Sequence, residues 1–326
     1  MKNQKIYVGI DVSKLTLDYC VIDGDTVKYD VIKNSRIAVK KLLSGLELAS
    51  TVISMEDTGC YNWNLYDVLG ETDFEVFVIN PFHLKRSLGL VRGKSDRQDS
   101  YRIAMHTVRH YQDLERWVPA SPEIRELKIL LAERRRLLKE KVSITLAKQD
   151  LNPLKASEFK TKTLKRHAKH LKSVNKLISE LETHIKELIN NNSHLSTLSK
   201  YIQSVPGVGP IVTWYLLAKT NGFTKGRNPR QLACFAGVVP FQQQSGTSLN
   251  SRPRLSKMAD KQLKTLLHLA ALAAVRSEAS LKQYYERKVA EGKNKMSVLN
   301  AIRNKLLHRI CAVVRDEKYY EIKVCI

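Results

Sequence analysis

The sequence predicts a mixed α/β N-terminal domain, a long helical coiled-coil-like middle and a mostly α C-terminal domain. Three observations carry this. Short apolar runs with tight connections open the chain and then alternate with helical periodicity, the pattern of a sheet with helices on its faces. From Pro122 the composition shifts to Leu, Lys, Glu and Arg, with apolar residues at helical spacing. Beyond residue 200, a Pro-Gly-x-Gly turn is followed by further apolar helices. The boundaries fall at 1–118, 119–200 and 201–326, and 326 residues suffice for separate cores.

Residues 5–11, 15–22 and 26–32 read as strands, with Asp23-Gly24-Asp25 as a hairpin signal. Helix is expected at 35–48, strand at 51–56, helix at 61–70 and strand at 74–79, ending at Asn80-Pro81. A helix from Asp96 to His110 follows. In the middle, Leu127, Leu130, Leu131, Leu137, Leu138, Val142 and Ile144 share a helical stripe that Asn152-Pro153 breaks. A second helix is expected at 171–189, where Leu171, Val174, Leu177, Ile178, Leu181, Ile185 and Leu188 form a near-heptad stripe. This suits an antiparallel hairpin or an intermolecular coiled coil, and a dimerising arm is the favoured reading. In the C-terminal part, helices are expected at 261–276 and 295–314, and Ser204-Val205-Pro206-Gly207-Val208-Gly209-Pro210 resembles a helix-hairpin-helix turn. Such a turn offers backbone N–H groups of Gly207 and Gly209 to phosphates, although a tight interhelical turn alone would also explain the glycines.

Net charge is +23, with 55 Lys+Arg against 32 Asp+Glu, and its distribution is uneven. Residues 1–120 are neutral, residues 121–200 carry +9 and residues 201–326 carry +14. Such a surplus points to a polyanion such as DNA or RNA. Candidate phosphate contacts are Lys94, Arg97, Lys162, Lys165, Arg166, Arg252, Arg254 and Lys257, with Lys160 and Lys169 beside them on the loop side of the second long helix.

Chemistry is concentrated in the neutral third. Asp11 and Glu56 end two strands, and Asp96 and Asp99 open a helix three residues apart on one face. Gly9 allows close backbone approach to a ligand beside Asp11. Carboxylates brought together need a compensating cation, and an all-oxygen set suits Mg²⁺, with Mn²⁺ as the alternative. Carboxylate-held metal beside a basic surface is the layout of an enzyme that cuts or joins phosphodiesters. Taken singly, Asp96 and Asp99 also fit as acids favoured at a helix N-terminus. Ser245 precedes Gly246 in an expected polar loop near Arg252, Arg254 and Lys257. There it serves either as a phosphate nucleophile or as a loop hydroxyl touching phosphate. His106 and His110, four apart beside Arg109, read as ordinary helix residues. Five scattered cysteines without a C-x-x-C pair suit a reducing cytoplasm, and no apolar span is long enough for a membrane.

The ordered set Gly9-Ile10-Asp11, Glu56-x-Thr58-Gly59-x-Tyr61, Asn80-Pro81 and Lys94-x-Asp96-x-x-Asp99 resembles the RuvC-like (RNase H-like) domain of DEDD transposases of insertion-sequence family one hundred and ten, relatives of Piv-type invertases. Pro206-Gly207-Val208-Gly209, Phe235-Ala236-Gly237-x-x-Pro240, Ser245-Gly246 and Ser256-Lys257 match its C-terminal run. The resemblance implies Asp11, Glu56, Asp96 and Asp99 as catalytic Mg²⁺ ligands and Ser245 as the nucleophile of a phosphoserine link to DNA. It implies donor and target DNA as substrates and a structured bridge RNA as guide. It also implies dimers assembling to tetramers, the acids of one subunit meeting the serine of another. The alternatives are a RuvC-like junction nuclease using water and a site-specific invertase. Two departures stand out: Asp57 adds a charge next to Glu56, and Gln242-Gln243-Gln244 replaces a more basic approach to Ser245.

Overall fold

A computed structural model describes residues 5–87, 95–224, 228–245, 249–256 and 258–321. The chain forms two compact units, Met1–Pro119 and Ala120–Ile326.

The first unit is built on a five-stranded sheet of order β3-β2-β1-β4-β5. Strands β1 (Ile6–Val12), β2 (Thr16–Asp23) and β3 (Thr26–Lys33) form an antiparallel meander. Strands β4 (Thr51–Glu56) and β5 (Glu75–Ile79) continue it, each parallel to its neighbour. Helix α1 (Arg36–Ser44), capped by the Ser35 side chain and stopped at Gly45, leads from β3 to β4, and α2 (Trp63–Leu69), entered through a 3-10 turn at Gly59–Asn62, leads from β4 to β5. Alternation along the strands sorts the faces. Val8, Ile10, Val12 and Leu17 pack with Val39, Leu43, Leu65 and Leu69 of α1 and α2. Cys20 and Ile22, from the other face, pack with Ala104 of α4 (Asp96–His110).

Gly9 lies under that helix. A Cβ there would stand 2.3 Å from Ser100 O and 2.4 Å from Ala104 N. The close approach expected for a ligand is therefore made by α4, which corrects the reading of Gly9. The strand ends before Asn80-Pro81 as expected, and a helix not expected there follows: Asn80 accepts a hydrogen bond from Phe82 N and starts α3 (Pro81–Ser87), with proline in a first-turn position where its missing N–H costs nothing.

Among the described residues, the second unit is helical except for one hairpin. Its long pair is α5 (Pro122–Asp150) and α6 (Glu158–Asn191). Helix α6 begins thirteen residues before the expected start at 171, because Ser157 caps Lys160 N and the polar first turns need no core to be helical. The stripe of Val174, Ile178, Leu181 and Ile185 is buried, Val174 and Ile178 against Ile144 of α5. Val142, Leu146 and Leu177 remain exposed. One core joins the base of this pair to α7 (Ser193–Gln203), α8 (Pro210–Lys219), α9 (Pro229–Phe235), α10 (Lys261–Ser277), α11 (Ala279–Ala290) and α12 (Lys295–Arg315). The polar stretch read as a loop instead forms β6 (Pro240–Ser245), paired antiparallel with β7 (Leu249–Leu255). Pro253 fits there because a two-stranded ribbon has only edge strands.

Candidate active site

The site begins with strand register. Strands β1 and β4 run parallel with Ile10 beside Met55, so Asp11 and Glu56 leave the sheet at the same edge. The Asn62 side chain holds the end of β4 by donating to Glu56 O at 2.8 Å. Helix α4, capped by Ser95 on Gln98 N, crosses β1 at Gly9 with Ser100 against it. Asp96 and Asp99 lie within the turn before that crossing, at the Asp11 end of the strand.

Electrostatics report the convergence. The Asp11 carboxyl is pushed up to about 6, first by burial and then by Asp99, Asp96, Glu56 and Asp18. All four acids singled out in the sequence thus share one field, and Asp18 is a fifth that sequence reasoning missed. Its signal was available: in the β1–β2 hairpin Asp11 is paired directly with Asp18, so both project from one face. Asp18 is itself raised by burial and by Asp96. Asp57 plays a different part. It accepts from Gly59 N at 3.3 Å and from the Tyr66 hydroxyl at 3.4 Å, closing its own turn.

These residues fit a divalent cation by donor chemistry: carboxylate oxygens at a site where burial and then neighbouring acids hold Asp11 well above its ordinary range. The cluster is not closed around an ion. Among the described residues no three His, Cys, Asp or Glu side chains already sit at metal-binding spacing. Asp99 instead holds the Arg102 guanidinium at 2.7 Å.

The nucleic-acid candidates are spread over both units. Arg97 lies with its guanidinium carbon 4.2 Å from the Tyr29 ring centre. Lys162, Lys165 and Arg166 are exposed on the first turns of α6, a helix and not the expected loop. Lys162 pairs with Glu158 at 2.6 Å, and Arg166 donates to Thr163 at 3.1 Å. Lys160 donates to Asn152 O and Leu154 O, tying the α5–α6 connection. Gly207, at φ 80°, is packed on α10, where a Cβ would stand 2.4 Å from Ala270 O. Close helix contact explains that glycine without a phosphate. Gly209 is different: it precedes α8 with nothing within 4 Å of a Cβ. Ser245 is the last residue of β6, paired with Leu249, and Arg252 and Arg254 lie in β7. Lys94 and Lys257 lie outside the described residues.

Comparison with known proteins follows the same two stretches. Residues 8–151 match a DEDD transposase family, and residues 199–286 match the family described as Transposase IS116/IS110/IS902. The Pilin gene-inverting protein of Moraxella bovis is 25% identical over 98% of this chain and 99% of its own length. The transposase for insertion sequence element IS1111A of Coxiella burnetii is 24% identical over 98% of this chain and 92% of its own. A solved T. thermophilus RuvC bound to a Holliday junction substrate matches 35% of this chain and 99% of its own at 15% identity, with a TM-score of 0.29, too slight to assign a fold. Both family matches follow the order of motifs in the sequence, and the chain belongs to the IS110 family of insertion-sequence transposases, enzymes of DNA recombination.

Proposed function

We propose that this transposase cuts and rejoins donor and target DNA through a phosphoserine link at Ser245, with Asp11, Glu56, Asp96 and Asp99 holding Mg²⁺, or Mn²⁺, in a RuvC-like domain. The observation that carries the reading is the convergence of acids at Asp11, paired with Asp18 across the hairpin and level with the end of β4, where burial first and then Asp99, Asp96, Glu56 and Asp18 raise its carboxyl. When bound, the cation would offset that charge and polarise a phosphate. The chain's own residues do the rest. Asp11 and Glu56 would hold that cation at the sheet edge, which sets where the cut phosphodiester would lie. The Ser245 hydroxyl oxygen attacks phosphorus, its proton is lost and the departing 3′ oxygen gains one, so a phosphodiester is exchanged for a serine ester. A 3′-hydroxyl from another strand then attacks that ester and restores Ser245, with no external energy source. Exposed cations on α6 and the open N-terminus of α8 at Gly209 suit backbone phosphates.

A structured bridge RNA as guide fits a chain whose described helices show no DNA-reading module, because pairing would read sequence while protein reads charge and shape. Outward Val142, Leu146 and Leu177 suit an arm that dimerises, with dimers forming tetramers. The expected setting is the bacterial cytoplasm; no described helix is long and apolar enough to cross a membrane.

The test is covalent trapping: protein, Mg²⁺, co-purified RNA and labelled DNA spanning the element's ends, resolved on a denaturing gel. An adduct lost in Ser245→Ala and in Asp11→Asn supports the reading. Cleavage without adduct, indifferent to Ser245→Ala, replaces it with a water-using nuclease. Site-specific inversion is the second reading, favoured by full-length similarity to the Moraxella bovis protein named for inverting a pilin gene. It is separated by whether the joined products carry an inverted or an excised segment.

A further inference from the structure

Helix α4 carries more than its two acids. Ser100, Ile103, Ala104, His106 and Thr107 are its buried residues, while Asp99, Arg102, Arg109 and His110 stay partly or fully exposed. Acids occupy the first turn and cations follow. The cationic part is a built pocket of about 100 Å³, lined by Ser87, Tyr101, Arg102, Met105, His106, Arg109 and His110. No carboxylate is among these lining residues. His106 is only 8% exposed, and its Nδ1 meets Ser87 Oγ at 2.8 Å, which fixes the ring between α3 and α4. The His106 and His110 ring centres are 4.6 Å apart. Burial, His110 and His83 all disfavour the charged form of His106. Ser87 gives its hydroxyl proton to Leu84 O at 2.8 Å, so His106 Nδ1 donates to Ser87 Oγ and the ring serves to shape the pocket wall. Arg102 lines the pocket while also bridging to Asp99, so the pocket and the acid cluster share a side chain. Arg109 is exposed and has no carboxylate partner among the described residues.

We propose that this pocket receives one backbone phosphate of the DNA strand being cut, and that α4 is a track that sets where that strand lies relative to the acids. The proposal rests on the reading that the acids hold the cut phosphate. Seven residues separate Asp99 from His106, about 10 Å along a helix axis. At about 3.4 Å of rise per nucleotide, that is about three nucleotides from the cut bond. Two arginines beside a ring held in place by Ser87 suit a phosphodiester, which takes several guanidinium N–H donors at once. A packing role alone would account for the Ser87–His106 bond but not for a second, exposed arginine at the same mouth.

The test uses full-length protein with its co-purified RNA and DNA spanning the element's ends, each DNA carrying one neutral methylphosphonate at a successive position from the cut bond. Wild type should lose affinity several-fold at a linkage about three nucleotides away. Arg109→Gln should bind unmodified DNA about 3- to 10-fold more weakly, with a salt slope lower by about 1, and should ignore that same neutral linkage. His106→Gln, which removes no cation, should weaken binding by loosening the pocket wall while leaving the salt slope unchanged. Asp11→Asn should lose the covalent adduct and keep the wild-type scan. If Arg109→Gln keeps full affinity, or remains as sensitive to the neutral linkage as wild type, the pocket is not a phosphate site. If wild type forms no adduct, the acid-site reading fails, while a linkage whose effect depends on Arg109 still supports the pocket.

Discussion

Asp11 holds a carboxylate half out of water among four others, and its consequences run against stability. Its folded-state value of about 6 lies above the ordinary carboxylate range. A group raised on folding stabilises most below its unfolded value near 4, and that contribution is lost as pH rises through about 6. Without divalent cation, thermal melts should therefore show Asp11→Asn more stable than wild type at pH 7, by about 1 kcal/mol once partial exposure is allowed for, with the gap closing towards pH 4. The same variant should form no DNA adduct. A wild type as stable as Asp11→Asn at pH 7 would mean the acids do not share a field. Gly9 gives the opposite kind of test. Gly9→Ala drives a Cβ into Ser100 O and Ala104 N, backbone that cannot yield without moving α4. It should cost about 2–4 kcal/mol in chemical denaturation and abolish activity as well, since Asp96 and Asp99 travel with the helix.

At the scale of elements, the two glycines of the α7–α8 turn separate packing from binding. Gly207→Ala meets both a positive φ and α10 backbone at 2.4 Å, so it should destabilise by about 2 kcal/mol or more. Gly209→Ala meets nothing within 4 Å and should cost about 0.5 kcal/mol. Its effect, if α8 takes a phosphate, belongs in DNA affinity. Equal losses of stability in the two would refute the distinction. The β6–β7 hairpin shows why this part was hard to read. Gln, Ser and Asn have little strand preference, and a proline within β7 argues against a strand, yet a two-stranded ribbon tolerates all of them because one edge of each strand needs no partner. The start of α6 lies outside its apolar stripe for a related reason: cap chemistry at Ser157 begins the helix.

For the whole molecule, the segregation of charge makes a further prediction. The excess of cations lies wholly beyond residue 120, so DNA affinity should fall steeply with salt, with a log–log slope on the order of −5 or steeper. Asp11→Asn and Ser245→Ala should leave that slope unchanged while removing the adduct. A slope near zero would deny the basic unit its role. The sequence alone determined the order of strands and helices in the first unit except the short α3, because alternation and periodicity are local properties written residue by residue and seven residues are too few to show a period. It also determined the four acids and the family motifs, whose residue types and spacing need no coordinates. What only the tertiary structure decided is which of these groups meet. Asp18 joins the acids through hairpin register, Gly9 serves a crossing helix, Asp57 turns into its own loop, and His106 and His110 become the wall of a cationic pocket. Each depends on contacts between residues far apart in the chain, which the packing of α3 and α4 on the sheet creates and no local pattern records.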